Sequence, residues 1–301
     1  MSGVEHECQV EITEVGPRDG LQNEKVVIPT ASKVRFIEAL VDAGARQIEV
    51  GSFVSPRWVP AMADTEAVVS GLTMVDGVRY VALVPNLRGF DRARAVGCNA
   101  VAVFTAASEG FARANINTTI AQSLAGFRDM AARARAEDVA LRGYVSTVFA
   151  CPYDGPTKPE QVVPIVEELL AMGAYEVSLG DTIGVGTPSH VSRLLDAVLK
   201  AVPAERIVMH FHDTWGMGVA NVMRSLEHGI RAFDASAGGL GGCPYAKTAT
   251  GNVATEDVIY LLDNLGYTTN YRLDGVVKAA RELSTSLDHP LTSRVNKAFA
   301  A

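Results

Sequence analysis

Eight short runs rich in β-branched and other apolar residues recur along the whole chain, and segments of helical periodicity separate them. The runs are Val10–Val15, Gln47–Val50, Tyr80–Val84, Ala100–Phe104, Gly143–Val148, Glu176–Leu179, Ile207–Phe211 and Ala232–Ala235. Between them lie stretches such as Lys33–Asp42 and Pro159–Leu170, each long enough for about three helical turns. Strands that alternate with helices imply a parallel sheet joined by crossovers. Eight such units spread over most of 301 residues fit a (β/α)₈ TIM barrel better than an open doubly wound sheet, which would carry a glycine-rich dinucleotide turn. A further helix is expected over Asp274–Ser286. No linker of Pro, Gly or Ser marks a second domain, so residues 1–301 read as one catalytic barrel domain, with 266–301 as an extension packed on it. At 48% apolar, the composition can fill such a core.

The same composition restricts partners. A net charge of -7 with no long Lys/Arg cluster gives no electrostatic surface for nucleic acid or anionic membrane, so neither is expected as a partner. No stretch approaches the roughly 20 apolar residues of a membrane helix, and Met1–Gln9 is polar, which points to the cytoplasm. Cys8, Cys98, Cys151 and Cys243 are scattered without the paired spacing of a disulfide framework or a cysteine zinc site.

Active sites of (β/α)₈ barrels lie at the carboxyl ends of the strands, so polar residues there carry the functional signal. The seventh run ends in Met209-His-Phe-His-Asp213. Side chains alternate along a strand, so His210 and His212 face the same way and can share one metal ion. The first run leads into Val15-Gly-Pro-Arg-Asp-Gly-Leu-Gln-Asn-Glu24, which offers Asp19 as a carboxylate ligand with Arg18 beside it. Other strand ends contribute Glu49, Ser52, Thr105, Ser108, Thr147, Asp181 and Ser236. After the eighth run comes Gly238-Gly-Leu-Gly-Gly-Cys243, a glycine loop of the kind that closes over substrates, followed by Asn252 and Glu256.

Each residue also has a plainer reading. Asp19 before Gly20 is a common turn pair, and an isolated Cys243 would ordinarily be a small buried residue. Its place at the end of the glycine loop, next to Pro244, favours an exposed thiol that can carry a proton. Asn252 and Glu256 would serve equally as turn and first-turn residues of a helix starting near Thr255, or as ligand and support. Glu49 and Asp181 read as interior acids paired with Arg18. Arg92, Arg94, Arg133 and Arg135 read as solvated helix faces. Two imidazoles, a carboxylate and an amide oxygen suit a divalent ion, and ligand type alone permits Mg²⁺, Mn²⁺, Zn²⁺ or Fe²⁺. Metal, arginine and thiol together suit carbon–carbon cleavage through an enolate.

Five segments carry a family resemblance: Val15–Lys25, Ser52-Phe-Val-Ser-Pro-Arg-Trp-Val-Pro60, Ser178-Leu-Gly-Asp-Thr-Ile-Gly-Val-Gly-Thr187, His210–Gly216 and Gly239–Ala246. They are similar to the 3-hydroxy-3-methylglutaryl-CoA lyases, within the metal-dependent lyases and Claisen-type synthases built on a (β/α)₈ barrel. The likeness spans nearly the whole chain, ending with Leu291-Thr-Ser-Arg-Val295. It implies that Asp19, His210, His212 and Asn252 hold Mg²⁺ or Mn²⁺, that Arg18 stabilises the enolate oxygen, and that Cys243 serves in proton transfer. Glu49, Asp181 and Glu256 would support the site, and Gln22 would lie near the acyl group. The implied substrate is an acyl-CoA, cleaved to acetoacetate and acetyl-CoA as in leucine degradation and ketone-body formation, and a homodimer is implied as the assembly. Lys25, Arg113 and Lys247 are local positive charges that could meet CoA. Trp215 and Met217, Lys247-Thr248 and Ala235–Leu240 depart from the commoner pattern. They leave open a related substrate such as isohexenylglutaryl-CoA or citramalyl-CoA. Two separate alternatives are a Claisen condensation synthase, a type that usually carries a further C-terminal region, and a catalytically silent metal-binding scaffold.

Overall fold

The computed structural model describes residues 9–242 and 251–299. Its centre is a closed barrel of eight parallel strands: β1 Glu11–Glu14, β2 Gln47–Ser52, β3 Arg79–Leu83, β4 Ala100–Ala106, β5 Ala140–Ser146, β6 Glu176–Asp181, β7 Ile207–Phe211 and β8 Ala232–Ala235. Each strand hydrogen-bonds to its neighbours in sequence, and β1 closes on β8 with Glu11 opposite Ala232 and Glu14 opposite Ala235. This is the (β/α)₈ barrel expected from the alternation. All eight runs are strands, with shifted ends. The largest shift is in β5, which starts at Ala140 and stops at Ser146 because Thr147 takes a left-handed φ of 60° and breaks the ladder. A two-residue antiparallel pair, Ala150–Cys151 with Gly155–Pro156, follows it and was not anticipated.

The helices outside the ring bury one stripe each against the strands. In α1, Thr30–Asp42, that stripe is Phe36, Ile37, Leu40 and Val41, at the spacing a 3.6-residue period requires. Several helix starts are fixed by side chains. The Asn86 Oδ1 accepts from the Gly89 N–H at 3.0 Å, and the Ser108 Oγ from the Phe111 N–H at 3.3 Å, so Ser108, expected among the strand-end polar residues, caps a helix. Thr105 is likewise engaged locally, its hydroxyl 2.8 Å from that of Ser123. The expected C-terminal helix spans Leu273–Ser284 and packs its Val276, Val277, Ala280 and Leu283 inward, with α1 as a neighbour. A second short helix, Arg294–Ala298, follows it where one helix was expected. Among the described residues, no helix is long and apolar enough to cross a membrane.

Inside the ring the packing is divided. One side is apolar and small, with Val81, Leu83, Ala100 and Ala102 against Tyr144. The other is charged. The Arg142 guanidinium donates to Glu176 Oε1 and to Asp234 Oδ1, both at 2.6 Å, and also contacts the Tyr144 hydroxyl. Gln47 joins this layer from below, donating to Thr13 Oγ1 at 2.7 Å and to Glu176 Oε1 at 2.8 Å. Buried charges persist only when paired and hydrogen-bonded, and here every carboxylate faces a donor.

Candidate active site and metal centre

The carboxyl ends of β1, β7 and β8 bring the site together. His210 lies in β7 opposite Asp234 of β8 and Gly180 of β6. Its Nδ1–H points at Asp234 Oδ2, 3.1 Å away, so its Nε2 is the ring nitrogen free to act as a ligand. Burial lowers the His210 pKa, but the hydrogen bond and charge of Asp234 outweigh it and raise the basicity of the ring. His212 lies just past the strand, bridged in antiparallel fashion to Asn252, and Phe211 O accepts the Val253 N–H at 2.9 Å. The two imidazole rings are 5.3 Å apart between centroids.

Arg18 and Asp19 do not sit at the end of β1 itself. They belong to a buried π-helical turn, Gly16–Gly20, which carries both side chains back over the barrel mouth. The Arg18 Nε and Nη2 each donate to Glu49 Oε2 at 2.6 Å, and Nη1 donates to Asp19 Oδ1 at 2.6 Å. Gln22 Nε2 donates to the same Asp19 oxygen at 3.0 Å, while Asn252 Nδ2 donates to Asp19 Oδ2 at 2.9 Å. The nearest His212 nitrogen, Nε2, is 3.8 Å from that oxygen. Burial pushes the Asp19 carboxyl up, yet Arg18 and then the two imidazoles overcome it, so the group is held below the usual carboxylate range.

One ligand atom from each of Asp19, His210 and His212 falls within 4.8 Å of the others, and all three residues are buried. Around them two guanidinium groups, Arg18 and Arg142, face four carboxyl groups, Asp19, Glu49, Glu176 and Asp234. The cluster is therefore formally two negative charges in excess, which a divalent cation would balance. This donor set of two imidazoles and a carboxylate fits such an ion. Asn252 presents its amide nitrogen to Asp19 and to the Leu240 carbonyl, so ligation through its oxygen would require the amide to turn over.

Of the expected supporting acids, Glu49 pairs with Arg18 as read, but Asp181 does not. Its carboxylate accepts the Val185 and Gly186 N–H groups at 3.1 and 2.8 Å and shapes the loop after β6. Burial raises its pKa to about 6. Glu256 accepts from the Gly238 N–H at 2.9 and 3.0 Å and from Asn296 Nδ2 at 3.0 Å, at the root of the glycine loop, with its pKa raised by burial to about 7. Lys25 and Arg113 are exposed, as are Trp215 and, at the margin, Met217. Cys243, Lys247 and Thr248 lie outside the described residues.

The sequence reading missed Asp234, Arg142, Tyr144 and Glu14. Each stands within a run otherwise fit for burial, and that misfit is the signal: Asp234 lies between Phe233 and Ala235, and Arg142 follows Leu141. Glu14 is fully buried, accepting from the N–H groups of Gly16 at 2.7 Å and Ala237 at 3.0 Å, with Thr255 Oγ1 at 2.8 Å. It ties the π-helical turn to the segment after β8. Desolvation raises its pKa to about 8.

Residues 9–283 match the family model described as HMGL-like. The chain belongs to the HMGL-like family. It is 52% identical over 293 residues to a Pseudomonas aeruginosa protein named 3-hydroxy-3-isohexenylglutaryl-CoA/hydroxy-methylglutaryl-CoA lyase, covering 97% of this chain and 98% of that one. It is 50% identical over 285 residues to the mitochondrial hydroxymethylglutaryl-CoA lyase of Arabidopsis thaliana, covering 95% of this chain and only 61% of that protein's length. The crystal structure of hydroxymethylglutaryl-CoA lyase from Pseudomonas aeruginosa superposes with a TM-score of 0.95 at 51% identity, over 97% of this chain and 98% of the other. Family membership and fold thus rest on nearly the whole barrel, the segments that carry Arg18–Asp19 and His210–His212 included.

Proposed function

We propose that this protein is a hydroxymethylglutaryl-CoA lyase, cleaving 3-hydroxy-3-methylglutaryl-CoA to acetoacetate and acetyl-CoA. The observation that carries the reading is the convergence of Asp19, His210 and His212, with Arg18 alongside, at the catalytic end of a barrel in this family. Asp19, His210 and His212 would hold Mg²⁺ or Mn²⁺, with Asn252 as a further oxygen ligand after its amide turns. A divalent cation bound there supplies Lewis acidity to the tertiary hydroxyl of the substrate.

The rest of the chemistry belongs to the side chains. Asp19, kept ionised by Arg18 and the imidazoles, is the basic group that receives the hydroxyl proton. As the hydroxyl oxygen becomes a ketone, the bond between C2 and C3 of the acyl group breaks and its electron pair moves into the thioester as an enolate. Arg18 uses three N–H contacts to lock itself between Glu49 and Asp19, which leaves two of its five N–H donors to stabilise that developing oxyanion. Glu49 and Asp234 hold Arg18 and His210, and Gln22 steadies Asp19. Cys243 returns a proton to the enolate carbon, giving acetyl-CoA. The protein works as one catalytic domain, in the cytoplasm, and as a homodimer.

The test is incubation of the purified protein with the thioester and Mg²⁺ or Mn²⁺, following acetoacetate and acetyl-CoA. Release of both, abolished by a chelator and restored by added metal, is the expected result. No release, with turnover of another 3-hydroxyacyl-CoA, overturns the substrate. The Pseudomonas aeruginosa relative is named for an isohexenyl substrate as well. Isohexenylglutaryl-CoA therefore belongs in the same panel.

A further inference from the structure

Residues Leu291–Asn296 follow the stretch 9–283 matched by the family model, and they are built into the root of the glycine loop. The Gly238 carbonyl accepts the Thr292 and Ser293 N–H groups at 3.0 and 3.2 Å, and the Gly239 carbonyl accepts the Thr292 hydroxyl at 2.9 Å. Both glycines have left-handed φ, 75° and 68°. A Cβ on Gly238 would lie 2.7 Å from Leu291 Cδ2, and one on Gly239 would lie 2.2 Å from Thr292 Oγ1. On the opposite side Gly251 backs onto the same stretch so closely that a Cβ there would be 2.3 Å from Gly239 O. Residues 238–241 are thus threaded between a C-terminal strap and Gly251–Asn252.

The strap is fastened at its far end as well. The Asp257 carboxylate accepts from the Ser293 hydroxyl at 2.9 Å and from the Arg294 and Val295 N–H groups at 3.1 and 2.9 Å. Asn296 donates to Glu256, which in turn accepts from the Gly238 N–H. The threaded stretch then reaches the metal centre. The Leu240 carbonyl accepts from the Asn252 backbone N–H at 3.3 Å and from its Nδ2 at 3.1 Å, and that Nδ2 also donates to Asp19.

We propose that Thr292 is a positioning residue: by pinning the Gly238–Gly239 peptides it fixes the Leu240 carbonyl, which holds Asn252 by its backbone N–H and so keeps that residue against Asp19, whichever way its amide is turned. A peptide held at its carbonyl by a hydroxyl cannot rotate, whereas a methyl in place of that hydroxyl leaves the Gly239 oxygen without its donor. The inference rests on the lyase reading in taking Asp19 as metal-holding, but its readout is binding rather than turnover.

The experiment uses full-length protein and its variants Thr292→Val and Thr292→Ser. It measures Mn²⁺ affinity from free Mn²⁺ by electron paramagnetic resonance, thermal melting without metal, and steady-state kinetics with the thioester. Thr292→Val is expected to weaken Mn²⁺ binding about tenfold. It should lower kcat with little change in KM and shift the melting temperature by only a few degrees. Thr292→Ser should restore both binding and rate. Wild-type Mn²⁺ affinity in Thr292→Val overturns the proposal. Should that variant not fold, Asn296→Leu, which releases the other end of the strap, must weaken Mn²⁺ binding in the same way, and unchanged affinity there overturns it equally. Tight Mn²⁺ binding without cleavage by the wild type would sink the lyase reading and leave the affinity comparison to decide the strap; a wild type that binds no Mn²⁺ overturns both.

Discussion

At the scale of single residues, the site depends on the groups that hold the proposed ligands Asp19, His210 and His212 as much as on those three. Asp234 receives Arg142 on one oxygen and His210 and Ser178 on the other. In Asp234→Asn, Arg142 would keep the amide oxygen on its own side and turn the amide nitrogen toward His210. That forces the ring into the tautomer with the proton on Nε2, which cannot ligate. We expect metal affinity to fall by roughly 10- to 100-fold, read by Mn²⁺ titration of the folded protein. Glu14 offers a pH test. Its folded pKa of about 8 stands above the ordinary 4.5, so its contribution to stability is full below about pH 4.5 and is lost as pH rises toward 8. Glu14→Gln keeps the carbonyl for Gly16 and Ala237 and a donor for Thr255. Its stability relative to the wild type should therefore rise between pH 5 and 8, by on the order of 1.4 kcal/mol per pH unit at most, in paired denaturant titrations. A pH-independent difference would rule out a buried, neutral Glu14. His210, His212, Asp19 and Arg18 could be found in the sequence because strand parity and adjacency are local properties. Asp234 and Arg142 could not be assigned a role there, because their partners come from strands 92 and 34 residues away.

Among the elements, the π-helical turn is the one on which the site turns. It replaces a simple strand end and is possible because Gly16 lies against Glu14 Oε1 and Ser236 Oγ, where a Cβ would come within 2.6 and 3.2 Å. Gly16→Ala should cost about 1–3 kcal/mol in chemical denaturation, since the clash is with a buried group that cannot move into solvent. It should also weaken metal binding, because Arg18 and Asp19 ride on the same turn. Retained affinity with lowered stability would separate the turn's fold from its function. The strands themselves were readable from their β-branched runs, since parallel strands buried on both faces are apolar nearly throughout. The turn was not, because Gly-Pro-Arg-Asp-Gly suits several loop conformations and contacts from β8 and the segment after it select one.

For the molecule as a whole, the C-terminal residues both close the apolar surface and reach the site. Helix Leu273–Ser284 buries Val276, Val277 and Leu283. Leu291–Asn296 then grips the glycine loop. The proposed single domain predicts melting in one transition, with far-ultraviolet circular dichroism and tryptophan fluorescence coincident; two separated transitions would divide the extension from the barrel. By itself, the sequence determined the eight strands, the alternation that makes a parallel barrel, and the pairing of Arg18–Asp19 with His210–His212, because periodicity and strand-end position are written in neighbouring residues. Only the tertiary structure decided that Asp181 serves its own loop, that Asp234 orients His210, and that Thr292 reaches Gly239. Those choices depend on which side chains barrel closure brings within hydrogen-bond reach, and sequence separation carries no record of that distance.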